Sequence, residues 1–354
     1  MARLLTCGWE TGDLNEAGVT SINAGTIALV TSSPSPRTGT YCLKCSLPST
    51  WSGDCAKKIF NLGAALTTIC GRFAWYPYHS PPESSLYVMR LLDSAGTPQC
   101  GLAVTAPSTY TLVAYRGSTS NVLATASRAA LPTQWNIVQF KVTISDAAGR
   151  FEVWLNDVKV IDFTGDTENT SNTNVSFVEL GLIRIVNSSG SNITYYAFDD
   201  IALNDTTGAY ENDVPDDAAV LLLTPNGVGT TTQLTPSAGD NYACVDEIPP
   251  STSDYVESDT ADQQDTYVMQ DLSAQYNQIA LVQPIFYAGL AASGTGALRG
   301  VVRSGGTDYA DTADKPLSTT AAFVRGDVHY VDPADNATWT PAKVNALEVG
   351  PRVK

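Results

Sequence analysis

The sequence predicts an all-β protein, a β-sandwich followed by a smaller second β-rich domain. Three observations carry that expectation. Stretches in which apolar and polar residues alternate recur at a spacing of roughly 8–12 residues, the mark of a sandwich of short strands. Clusters of Gly, Ser, Asn and Asp separate them, such as "DSAGT", "RGSTS", "SDAAGR" and "NSSGSN". The 354 residues are 43% hydrophobic and only 16% charged, so cores can be filled while helix-type Glu-Lys-Leu stretches are nearly absent.

In chain order the strand candidates are residues 25–31, 39–47, 57–62, 69–78, 85–93, 100–106, 110–117, 134–145, 149–163, 176–186 and 194–205. In "FEVWLNDVKVIDF" the alternation puts Phe151, Val153 and Leu155 on one face and Glu152, Trp154 and Asn156 on the other. "LND" (155–157) reads as the hairpin turn. The last candidate, "TYYAFDDIALND", carries Asp199 and Asp200 in its middle, where acids are rare. Regular strand geometry would point the two to opposite faces.

After residue 205 the pattern breaks. Residues 206–239 read as a linker and connecting segment, and 240–354 as the second domain, with strand candidates at 266–272, 278–291, 296–306, 320–333 and 344–354. Near the end, Thr340 as N-cap and Pro341 at the first helical position predict a short helical turn.

The formal net charge of −16 argues against a nucleic-acid partner, because such a surface repels phosphate. The acids are unevenly spread. Residues 215–354 hold 18 acidic and 7 basic side chains, against 18 and 13 in residues 1–214. Asp246, Glu247, Asp254, Glu257, Asp259, Asp262, Asp265 and Asp271 crowd into one stretch, a solvated loop, a cation site or a docking surface for a basic partner. The opening "MARLLTCGWE" lacks the apolar core of a signal peptide, and no apolar run approaches the ~18 residues of a membrane span. Synthesis in a cytoplasm is the expectation. The odd total of seven Cys argues against a fully paired disulfide framework. "YCLKC" reads as a strand, a poor setting for a zinc knuckle, so buried free thiols are expected.

Catalytic chemistry is not written in the chain, and it is not expected to be an enzyme. His79 and His329 are the only imidazoles and lie in no metalloprotease frame. Neither a nucleophile elbow nor a phosphate-binding loop is found. Asp199 and Asp200, pointing apart, could not serve each other as the acid and base of glycoside hydrolysis. An inward carboxylate needs a partner or a cation, and calcium suits it. Trp51, Trp75, Tyr76 and Tyr78 cluster in the first third. They either stack on sugars or pack the core and rim of the sandwich.

Four pieces of the first domain together resemble one family: "GWETGDLNEAG" (8–18), "SPRTGTYCLKCS" (35–46), "FEVWLNDVKVIDFTGDT" (151–167) and "YYAFDDIALND" (195–205). Their order is similar to that of concanavalin A-like, laminin-G-like jelly rolls, over residues 1–205. The resemblance implies a jelly-roll sandwich. It also implies a structural calcium ion (Ca2+) held by Glu10 and by Asp199 or Asp200. The catalytic Glu-x-Asp-x-Glu strand of glycosidases with this fold is absent. Residues 240–352 resemble minor structural proteins of tailed bacteriophages, through "VDEIPP…DTYV" and "DPADNATWTPAKVNALEVG". That resemblance implies a virion component, in a head-decorating or tail position, made in the cytoplasm of a host bacterium. Its partners would be other virion proteins and further copies of itself, in a trimer or ring. The alternative reading is a glycan-binding adsorption protein or lectin that works through the jelly roll.

Overall fold

The computed structural model describes residues 3–47, 53–78, 86–104, 110–183 and 195–354. The chain divides into two compact units, Met1–Glu10 with Leu14–Leu221, and Thr11–Asp13 with Leu222–Lys354.

The described strands of the first unit are β1 (Arg3–Cys7), β2 (Val19–Ile22), β3 (Thr26–Val30), β4 (Cys42–Ser46), β5 (Ala56–Leu66), β6 (Thr68–Tyr78), β7 (Leu86–Leu92), β8 (Pro98–Val104), β9 (Thr111–Arg116), β10 (Val122–Ala129), β11 (Asn136–Thr143), β12 (Gly149–Leu155), β13 (Val158–Gly165), β14 (Val175–Ile183) and β15 (Tyr195–Asn204). They form two antiparallel sheets. One has the order β13-β12-β11-β6-β15-β4-β3, with β1 also pairing β15. The other has the order β10-β9-β8-β7-β14-β5-β2. This is the expected sandwich, and alternation decides what fills it. Phe73, Trp75, Phe140, Phe151, Tyr196 and Phe198 of the first sheet share one buried core with Phe60, Met89, Leu102, Leu112, Val178 and Leu180 of the second. The β12–β13 turn is as read: Asn156 and Asp157 both take positive φ, 50° and 63°, as a two-residue hairpin loop requires.

Three strands lie outside the expected set: β1, β2 and β10. The assignment of 206–239 as linker is also corrected. Residues 206–221 form a strap across the outer face of the first sheet, because that face offers polar side chains to its backbone. Asn204 donates to the Asp213 carbonyl at 2.9 Å, Gln139 to Pro215 at 2.8 Å and Arg72 to Asp216 at 2.6 Å. The strap's acids meet bases: Glu211 with Arg3 at 2.5 Å, Asp213 with Lys141 at 2.8 Å and Asp217 with Arg37 at 2.6 Å.

The second unit begins earlier than expected, with a strand at Pro225–Thr232. Its main sheet runs in the order Pro225–Thr232, Asp265–Met269, Glu348–Val353, Ala297–Ser304, Thr307–Ala310. The expected strands 278–291 and 320–333 shrink to a separate pair, Ile285–Ala288 with Ala322–Arg325. The apolar core is small: Val302, Trp339, Val344 and Leu347. Buried acids supplement it by gathering backbone and side-chain donors. Asp265 accepts from the Gln233 and Leu234 amides, from Asn241 and from the Tyr267 hydroxyl. Thr340 caps the turn Pro341–Val344, accepting from the Lys343 amide, as expected.

Candidate functional site

The two adjacent acids of β15 do not point apart. Against β6, Asp199 faces Ala74 while Ala202 faces Arg72, so β15 carries one extra residue there. Asp200 takes φ 50° and makes that bulge. At the same point β15 changes its other neighbour: Tyr195–Phe198 pair with β4, and Ile201–Asn204 pair with β1. Both carboxylates therefore turn into the fork between β4 and β1, where the loop before β4 meets them. Asp199 accepts the Arg37 and Thr38 amides at 2.9 and 3.4 Å, and the Asp200 amide at 2.8 Å. Asp200 accepts the Arg37 guanidinium, the Thr38 hydroxyl and the Val220 amide, each at 2.7 Å. Glu10, just past β1, accepts the Thr40 amide at 2.7 Å and the Tyr41 amide at 3.4 Å. Between them Gly39 takes φ 59°, and a Cβ there would lie 2.2 Å from the Glu10 carboxyl carbon. Glycine is required on both counts.

Burial pushes the Glu10 carboxyl up to about 7, against the pull of the two amides. Burial, and then the charge of Asp200, push Asp199 well above the ordinary carboxylate range. Burial lowers the Arg72 guanidinium, whose Nε donates to the Asp200 carbonyl, to about 10. The residues do not fit the expected calcium ion. Calcium takes six to eight oxygens with lone pairs free to face it. Here the carboxylate oxygens of Glu10, Asp199 and Asp200 face N–H and O–H donors, and Arg37 supplies the positive charge. Among the described residues no cluster of three or more Asp, Glu, His or Cys is arranged to hold a metal.

The aromatic expectation divides by parity along β6. Trp75 is fully buried, in edge-to-face contact with Tyr196 at 5.2 Å. It is therefore a core residue and no glycan contact. Tyr76 and Tyr78 point to the outer face, and Tyr78 is 41% exposed. Trp51 and His79 lie outside the described residues.

Residues that the sequence did not single out complete the row. Tyr195 sits opposite Tyr78 on β15, with its ring 4.5 Å away and within 10° of parallel. It is also nearly parallel to Tyr76, at 6.3 Å. Trp135, at the entry to β11, meets Tyr76 at 5.5 Å, and its indole N–H donates to the Ser35 carbonyl at 3.0 Å. The Lys44 ammonium lies 4.0 Å from the Tyr195 ring centre and donates to the Ser33 carbonyl at 2.7 Å. Burial and the neighbouring phenols push the Tyr195 hydroxyl up to about 12, so it is a donor at neutral pH. The strap's anchors on β6 and β11, Arg72, Gln139 and Lys141, lie about 13–20 Å along the strands from this row, at ~3.3 Å per residue. The signal for Tyr195 was the same alternation that marks β15, since Tyr195, Ala197 and Asp199 share the outer parity.

The remaining candidates are structural. All seven Cys are free and buried. Burial pushes the thiols of Cys42, Cys45, Cys55, Cys70 and Cys100 up to about 12, so they stay protonated. His329 is held below its ordinary value by burial. In the acidic stretch, Asp265 is the buried bracket described above and Asp262 pairs with Lys354.

No protein-family model and no curated protein matches the sequence. Solved structures that overlap it include one titled cellulose induced protein, Cip1 (16% identity, TM-score 0.44, 56% of this chain and 96% of that one). Another is an alginate lyase, Aly36B, in complex with alginate trisaccharide (12%, 0.40, 56% and 96%). A third is carbohydrate-binding module CBM66 from Bacillus subtilis (12%, 0.34, 53% and 97%).

Proposed function

We propose that the first unit binds glycans through the outer-face row Tyr78–Tyr195–Tyr76–Trp135. One observation carries this reading. Four aromatic side chains, three with phenol hydroxyls, are lined up on the sheet surface beyond the reach of the strap. Apolar ring surface with polar tips suits a sugar, which offers C–H faces and hydroxyl edges. The chemistry proposed is recognition: ring faces stack on the sugar and phenol tips bond its hydroxyls. The test is retention of the full chain on a panel of soluble polysaccharides in affinity electrophoresis. Wild type should be retarded by at least one, and Tyr78→Ala should lose most of that retardation with an unchanged melting temperature. Identical mobility of the two proteins on every polymer would refute the assignment.

A second reading rests on the word order of residues 240–352, which is similar to tailed-phage minor structural proteins. In it the chain is a virion part, head-decorating or tail-associated, that assembles with other virion chains and with copies of itself, and the glycan row serves adsorption. Mass spectrometry of purified particles and light scattering of the isolated chain test this. A monomer found in no particle would rule it out.

A further inference from the structure

We infer that the sugar recognised by this row carries a negative charge, a carboxylate or an equivalent anion, and that Lys44 reads it. The inference rests on the glycan-binding reading and adds the class of ligand. Its basis is the chemistry of the polar groups around the row. All of them can donate: the phenols of Tyr76 and Tyr78, and the Lys44 ammonium, which also brings a positive charge to the centre of the row. A phenol also accepts and so serves a neutral hydroxyl too, but an ammonium only donates and gains most from an anion. Here the carboxylate of matching parity on β15, Asp199, has both oxygens occupied by the amides of Arg37, Thr38 and Asp200. The Trp135 indole N–H is committed to Ser35.

Charge pairing points the same way. Arg3, Arg37, Lys141 and Lys159, of this sheet and the loop before β4, each meet a carboxylate, and the buried Arg72 is held by the Asp200 and Asp216 carbonyls. Lys44 has no carboxylate partner among the described residues. Its contacts are one carbonyl and the face of an aromatic ring. Of its three N–H donors one is taken by Ser33. In a chain of net charge −16 an unpaired cation beside an aromatic row is a local exception to the surrounding field. An acidic sugar stacked on Tyr78 would bring its anion to the Lys44 ammonium and to phenol O–H groups that can donate.

The experiment compares polymers that differ in charge and not in backbone. Full-length protein is run against polygalacturonate and its fully methyl-esterified form, with alginate, hyaluronan and polysialate as further acidic polymers and with neutral xylan and galactan. The expected result is binding to at least one acidic polymer, at least tenfold weaker for an uncharged counterpart. Lys44→Met keeps the apolar stem over Tyr195 and should lose about tenfold in affinity for the acidic polymer, the size of one charge-assisted hydrogen bond. Lys44→Arg should retain most of it. Melting temperatures of both variants confirm that they fold. Equal binding of charged and esterified polymer, binding of neutral polymers alone, or an unaffected Lys44→Met would each overturn the inference while leaving the glycan reading intact. Failure to bind any polymer would overturn both.

Discussion

Glu10 ties the stability of the first unit to pH in a direction opposite to that of an ordinary paired carboxylate. Its folded-state value of about 7 lies above the 4.5 of an unperturbed Glu, with burial as the largest cause. Between those values the folded chain holds a proton that the unfolded chain has released. Unfolding free energy therefore falls as pH rises through the window, and is fully present only below it. Each unit of difference corresponds to about 1.4 kcal/mol, so the window contains at most about 3.5 kcal/mol. Allowing for solvent screening at the edge of the fork leaves about 2 kcal/mol. For a unit of this size that is a fall in Tm of about 4–8 °C between pH 4.5 and 7.5. The assay is thermal unfolding of wild type and Glu10→Gln across pH 4.5–8.5 at fixed ionic strength. Gln cannot ionise, yet its carbonyl oxygen can still accept the Thr40 amide. General repulsion among the acids acts on both proteins, so their difference isolates Glu10. Wild type should lose stability relative to Glu10→Gln as pH rises, with most of the change between pH 5 and 7. Parallel curves, or a wild type that gains on the variant with rising pH, would refute the reasoning.

Other predictions follow from the same region and from the hairpin. Arg37→Met leaves Asp200 buried without its cation and should cost about 3–5 kcal/mol, read by urea unfolding. Because Arg37 supplies the charge where calcium was expected, EDTA should leave the wild-type Tm unchanged; a fall of several degrees would restore the ion. Gly39→Ala meets both a forbidden contact and positive φ, and should destabilise by at least about 1–2 kcal/mol. Asp157→Gly, at φ 63°, should instead raise stability by about 0.5–1 kcal/mol in the same assay, since it completes an Asn-Gly turn.

The sandwich was legible in the sequence because alternation and burial are one phenomenon when a sheet has a wet face and a dry face. Phe151, Val153 and Leu155 point inward as their spacing says. Legibility fails where the period breaks. Asp200 adds a residue to β15, and period two, carried across it, sends Asp199 and Asp200 to opposite faces when both meet Arg37 and Thr38. The strands β1 and β10, "RLLTC" and "VLATASRA", lack a clean apolar–polar contrast and owe their pairing to neighbours. In the candidate site, Tyr76 and Tyr78 were legible, and parity alone would have removed Trp75. Tyr195 and Lys44 belong to the row through register between distant strands, which no local pattern encodes. The strap was read as linker because its composition is that of one. What holds it is the outer face of a sheet up to 208 residues away in sequence.

The strap also sets how the first unit answers a pull. Tension arriving along the chain from Leu222 does not run straight through the peptide into the end of β15 at Asn204. It first loads the Val220 amide on Asp200, then Asp217 on Arg37, Asp216 on Arg72, Pro215 on Gln139 and Asp213 on Lys141 and Asn204. These contacts lie in series along the peptide, so they yield one after another, each releasing a short length of slack. The sandwich is thereby fitted with a stepwise extensible tether, and β15 is pulled end-on through its own peptide only after these steps have given way.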